Sequence, residues 1–498
     1  MSSRRARTIF VVAVVCAGVG AARAAEEHAH PIPEKLGNVT FKTSCSPEVQ
    51  APFNRAVALL HSFTYQAAEQ AFRDVSRRDP KCAMAHWGVA LSYYHPLWEA
   101  PDAAHLRAGL NEVDAARALD ATAREQAYIE AAGAYYRESN QLSYAERARA
   151  YEQAMAGVAA RYPDDVEARI FHALSLLATA SPTDRTHAKQ KQAIQILEPL
   201  YLKYPDHPGL AHYLIHACDS SELAARGLAA ARAYSQIAPS APHALHMPSH
   251  IFTRLGLWDD SVASNLAARD AARAQGDVGE ELHSMDYLTY AYLQLGRVSE
   301  AQQIVSDAAA RTSLSGAEFK IGYAANAMPV RLAIEQGRWA TAAKLEPLAG
   351  SPPQVAAIVY WARAVGQARG NPPQNDAADI ARIAECRQEL ETAGSQYWAT
   401  QTGVLEQEAR AWTAVAGGDA QKGIDLMRAA ADKEDAVEKL PLTPGPIVPA
   451  REQLGEILLA AGRPADALSE FQSALKGAPG RRGALQGVAR AQEQLARQ

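Results

Sequence analysis

Four histidines fall into two pairs of identical spacing, His212/His216 and His246/His250, and both pairs take the same phase of a 34-residue period. Imidazoles four residues apart on a helix project from one face, about 6 Å apart along the axis, so that both can reach one ion. Proline marks the period: each pair lies seven and eleven residues after its own proline, Pro205 or Pro239. Glycine gives a second register, because His246 and His250 stand ten and six residues before Gly256, as Asp286 and Tyr290 do before Gly296. His243 and His283 are equivalent as well, each thirteen residues before its glycine. Three consecutive helices are thus expected to present His/His, His/His and Asp/Tyr at matching places.

Imidazoles with a carboxylate suit zinc, copper, iron or nickel. The expected ligands are His212, His216, His246 and His250, with Asp286 or His283 as a further ligand or as a group that orients an imidazole. His243, Arg254 and Tyr290 are expected to line a groove beside them. Pro248 falls between His246 and His250 and must kink the helix or start a new one there. Two other readings stand beside the metal: a metal-free groove whose histidines bind a peptide, and a metal-dependent enzyme in which Asp286, Asp219 or Tyr290 handles protons. Cys218, two residues past His216, is either a soft ligand or a small packing residue.

Nearer the N-terminus His61, His86, Trp87, Tyr93, Tyr94, His95 and Trp98 form an aromatic cluster at near-helical spacing. Packing is the expected role, with the alternative that His86, His95 and Trp98 face the same concavity. His172 is out of phase with the pairs. His105, His187 and His207 lie in polar or proline-flanked contexts and read as surface.

The elements that must position these residues are helices, since hydrophobic residues make up 48% of the chain, aromatics only 7%, and strand-type runs are scarce. The clearest unit is the last, with Leu454, Gly455, Gly462, Ala467, Phe471, Ala474 and Pro479; Ala68, Phe72 and Pro80 repeat part of it. These spacings resemble the tetratricopeptide repeat. The resemblance implies an all-α, right-handed superhelical solenoid of antiparallel helix pairs whose first helices line a concave groove. It also makes a protein or peptide partner the expected guest of a metal-free groove. The expected divisions are a signal peptide at 1–24, a polar and irregular leader at 25–43, an N-terminal solenoid at 44–370 and C-terminal repeats at 377–498. Residues 99–130 and 310–330 fit the repeat poorly, and Gly370–Asp376 and Pro441–Pro449 read as proline-rich loops.

Residues 1–24 carry three early arginines, an apolar run and an Ala22-Arg23-Ala24 end, the pattern of a secretory signal peptide cut after Ala24. A periplasmic or secreted location follows, with no integral membrane segment after cleavage. Removing that segment moves the formal charge from −5 to −9, with 46 basic against 55 acidic residues. With no Lys/Arg block, nucleic acid is a poor partner. In an oxidising compartment Cys45 and Cys82 are the natural disulfide, bracketing one helical hairpin. The sequence contains no G-x-S-x-G, phosphate-binding G-x-x-x-x-G-K-[ST], H-E-x-x-H or C-x-x-C-H motif, so any catalysis would fall to the metal.

Overall fold

The computed structural model of the chain describes residues 34–97, 100–374 and 376–497, so the expected signal peptide, most of the leader and Trp98 lie outside the described residues. Lys35–Gln498 is one compact unit. Among the described residues every regular element is helical. The first five pairs are α1 (Gln50–His61) with α2 (Tyr65–Arg78), α3 (Ala83–Ser92) with α4 (Ala103–Arg117), α5 (Ala123–Tyr136) with α6 (Tyr144–Arg161), α7 (Val166–Ala178) with α8 (Ala188–Lys203), and α9 (Pro208–Cys218) with α10 (Ala224–Ile237). The sixth has a broken first helix, α11 (Pro242–His246) and α12 (Pro248–Leu255), backed by α13 (Trp258–Gln275). There follow α14 (Val278–Gln294) with α15 (Val298–Ala309), α16 (Phe319–Glu335) with the short α17 (Trp339–Ala342), and α18 (Pro353–Ala368) with α19 (Ala377–Thr392). The run ends with α20 (Gln396–Ala416) and α21 (Ala420–Asp435), α22 (Ala450–Ala460) and α23 (Pro464–Gly477), and a final α24 (Arg482–Ala496).

The fold is an all-α, tetratricopeptide-like solenoid of helix pairs. Second helices bury one stripe each: α2 buries Ala68, Ala71, Phe72 and Val75, the spacing of a single helix face. First helices are enclosed far more completely, with α9 buried along its whole length and α14 buried from Gly279 to Gln294. Of the stretch 99–130, expected to depart from the repeat, the part from 103 onward falls in the ordinary members α4 and α5.

The first helices, expected to line a concave groove, are covered by other parts of the chain. Helix α1 packs against α9, and residues 438–441 of the loop after α21 lie beside His216 and Asp219. In that loop Glu438 pairs with Arg185 and Arg254 at 2.7 and 2.8 Å, and Lys439 pairs with Asp219 at 3.1 Å. Further along, Trp258 Nε1 donates to Gly480 O at 3.0 Å. Gly256, at φ +69°, meets Pro479 so closely that a Cβ would lie 2.3 Å from its carbonyl oxygen. The left-handed turn that ends α12 is therefore also a docking point.

Cys45 and Cys82 form a disulfide across the open end of the α1–α2 hairpin, with Cα atoms 4.7 Å apart. The described end of the leader is irregular but well packed: Leu36, Val39 and Phe41 are buried, and Asn38 N donates to Asp206 O at 2.9 Å.

Candidate metal centre

Six imidazoles gather where α9, α11, α12 and α14 pack together, and they divide into two triads. His212 and His216 of α9 join His243 of α11; His246 of α11 and His250 of α12 join His283 of α14. Within each triad one nitrogen from every ring lies within 4.8 Å of the others. Each triad is therefore a four-residue pair from one repeat plus one histidine from the next. The expected single set of His212, His216, His246 and His250 is corrected accordingly: His243 is a member of the first triad, not a groove residue, and His283 completes the second. The triads adjoin, with ring centroids 6.2 Å apart for His216/His250 and 6.0 Å for His243/His246. Pro248 does break the helix, at Met247, yet His246 and His250 still meet with their Nε2 atoms 3.0 Å apart.

The outer nitrogens fix where the protons are. His212 Nδ1 lies 2.6 Å from the His61 carbonyl oxygen, which only accepts, so Nδ1 carries the proton and Nε2 is bare. In the second triad both paired rings are fixed. His246 Nδ1 donates to Asn265 Oδ1 at 2.7 Å, the amide being oriented by its own donation to Ser261 O, and His250 Nδ1 donates to Asp219 Oδ2 at 2.9 Å. Two bare Nε2 atoms then face each other at 3.0 Å, an arrangement that repels unless a cation lies between them. Ligand nitrogens at about 2.0–2.1 Å from one ion stand about 3.3 Å apart at a tetrahedral angle. The first pair also has its Nε2 atoms 3.0 Å apart, but His216 Nδ1 has no hydrogen-bond partner. His216 is consequently free to donate from Nε2 to His212.

Charge favours the ligand form of these rings. Burial, then the neighbouring imidazoles, holds His212, His216 and His283 well below the usual histidine range, and His246 likewise. Burial also lowers His250, although Asp219 opposes it. Burial would raise the Asp219 carboxyl, but Lys439, Arg254 and the bond to His250 outweigh it and hold the group well below the usual carboxylate range. Asp219 thus has two cations already and does not need His250 as a third. Glu280 serves His243 in the same way, accepting from its Nδ1 at 3.0 Å while Lys320 lies 2.8 Å from its other oxygen.

Other expected site residues are placed elsewhere. Asp286 stands outside both triads: its carboxylate is 2.9 Å from Arg331 Nε, and both are buried. Tyr290 lies under the guanidinium groups of Arg331 and Arg481, and Arg254 is taken up by Asp219 and Glu438. The third repeat keeps the register but uses it to anchor α16 and the chain before α24. His86 bonds Glu112 at 2.7 Å and is not part of the centre. His95 stacks on Tyr65, Tyr65 on Phe63, and Phe63 on His216 and His243, which links the N-terminal aromatic cluster to the first triad. A cavity of about 200 Å³, walled by Pro96, Leu97, Tyr144 and Leu440, reaches His216. Cys218 faces α10, where a Cβ on Gly227 would lie 2.8 Å from its own Cβ.

His207 and His187, read as surface, are buried, while His105 is exposed. His207 and His61 share the Glu167 carboxylate at 2.9 Å each, a third cluster that ties α1 to α7 and the start of α9. Gly209 permits it, since a Cβ there would meet the His61 ring at 2.7 Å. Neither Asn265, Glu280 nor this cluster is marked by any pattern in the sequence. Glu280 reads as an ordinary acidic residue in the first turn of α14, behind the Asp277 cap.

No family model and no curated protein matches the chain. Solved structures that it resembles include the APC/C Cut9–Hcn1 hetero-tetramer, at 11% identity and a TM-score of 0.37 over 91% of this chain and 78% of that one. Yeast Tom70 matches at 10% identity and a TM-score of 0.35 over 90% and 96%, and the P58(IPK) TPR domain at 11% and 0.23 over 90% and 99%. Similarity this low adds nothing to the helix-pair architecture already described.

Proposed function

We propose that this protein is a helical-repeat protein that holds two first-row transition ions, zinc, copper or iron, one in each histidine triad. The reading rests on one observation: the outer bonds of His246 and His250 leave two bare Nε2 atoms facing each other at 3.0 Å. Three neutral imidazoles per ion leave at least one coordination position open. The Cys45–Cys82 disulfide supports an exported, oxidising location. Among the described residues no helix is long and apolar enough to cross a membrane.

The test is a cobalt(II) titration of protein stripped with chelator, followed by visible absorption. Two equivalents are expected to bind, and one only in His246→Ala/His250→Ala. Failure of the stripped wild-type protein to bind any cobalt or zinc would return the chain to a metal-free scaffold for a protein or peptide partner. Metal-assisted chemistry at the first triad is favoured over simple storage by the cavity that reaches His216.

A further inference from the structure

A cavity of about 100 Å³ lies in the C-terminal repeats, between α16, α18, α20 and the loop at 437–448. That is room for about three waters. Among its walls are the aromatic side chains of Tyr323, Trp361, Tyr397 and Trp398, and it holds two carboxyl groups, Glu408 of α20 and Glu434 near the end of α21. Glu408 is only 1% exposed, and its Oε2 accepts no hydrogen bond. Gln453 and the Trp361 indole approach the group without closing a bond to that oxygen. Among the described residues neither carboxyl has an ion-pair partner. The cation on the cavity wall, Lys439, is engaged by Asp219 at 3.1 Å.

Buried acid without a counter-charge is costly, and it shifts toward its neutral form. Burial, and then the charge of Glu434, drives Glu408 well above the usual carboxylate range, while burial pushes Glu434 up to about 7. Such groups in a cleft are candidates for a binding site. Aromatic faces add the complementary attraction, since their negative potential draws an ammonium. A calcium ion would need about six to eight oxygen ligands, far more than two carboxyls and these rings supply.

We infer that this cavity binds a small organic cation, a methylated or short-chain ammonium, with Glu408 and Glu434 balancing its charge and Tyr323, Trp361 and Trp398 against its carbon atoms. The ligand is sized by the space, at about five non-hydrogen atoms. This site is separate in chemistry from the histidine triads and does not depend on them.

The probe is tetramethylammonium chloride, titrated into the full chain at constant ionic strength and followed by tryptophan fluorescence and calorimetry. Saturable binding is expected, with no response to tert-butanol, a neutral molecule of the same size, or to sodium chloride. Glu408→Gln keeps the shape and removes the charge, so it should fold normally and weaken binding about tenfold or more. Trp398→Leu, at a half-buried wall position, should weaken it as well. Equal binding of tert-butanol, undiminished binding in both variants, or no saturable response by the wild-type chain would overturn the inference.

Discussion

The two triads are built from the same repeat yet are held differently. In the second, both paired rings have their outer nitrogens bonded, to Asn265 and Asp219, so the two inner nitrogens are already bare, as the proposed ion requires. In the first, His212 is fixed by the His61 carbonyl, but His216 has no outer partner and borders a cavity of about 200 Å³. The repeat supplied the imidazoles, and groups outside the repeat decide how firmly each set is preorganised. A fixed tautomer costs nothing further when the ion binds, whereas His216 must give up its bond to His212. The second triad is expected to be the tighter site and the first the more exchangeable.

The largest effect that can break this comparison is loss of one ion outright. His246→Ala/His250→Ala should abolish the high-affinity step of a zinc titration and leave the weaker one, and His212→Ala/His216→Ala should do the reverse. If both double variants lose the same step, the triads are one site. Acid is next in size. These buried rings stay neutral in the fold below the unfolded value of 6.5, so the unfolded chain takes up protons that the folded chain refuses. Stability of the metal-free protein should therefore be intact above pH 7 and fall as pH drops below about 6.5. The slope is about 1.4 kcal/mol per pH unit for each ring still neutral, measurable by urea melts. A flat profile from pH 7 to 5 would mean that these histidines are not buried neutral.

Smaller changes separate the triads by their outer partners. Asp219→Asn should weaken the second site about 10–100-fold and leave the first alone, and Glu280→Gln should do the converse through His243. An effect of Asp219→Asn on the first site alone would reverse the assignment of partners. Smallest of all, Cys218→Ala should leave both zinc affinities within about twofold, because that thiol faces α10 and is pushed up to about 12 by burial. Any larger loss would restore Cys218 as a ligand.

Much of the centre was legible in the chain. The shared phase of His212/His216 and His246/His250, and the equivalence of His243 and His283, follow from counting against proline and glycine. Their division into triads does not, because it depends on how far α11 reaches back toward α9 and α14 toward α12. Asp286 and Tyr290 show the limit of register: they sit where ligands would, but Arg331 and Arg481 arrive from 45 and 191 residues away and claim them. His187 and His207 misled for a related reason, since proline-flanked segments usually lie outside, and here they are covered by neighbouring repeats.

The sequence by itself determined the local periods: helix pairs ended by glycine and proline, and imidazoles on matching faces of successive first helices. Side-chain direction along a helix is set by backbone geometry a few residues long, so spacing is enough to read it. Only the tertiary structure decided which nitrogen carries the proton, which carboxylate stands behind which ring, and whether the first helices face solvent or the loop bearing Glu438 and Lys439. Those outcomes depend on through-space contacts between residues more than 200 positions apart, such as Asp219 and Lys439 or Arg185 and Glu438, which no local pattern encodes.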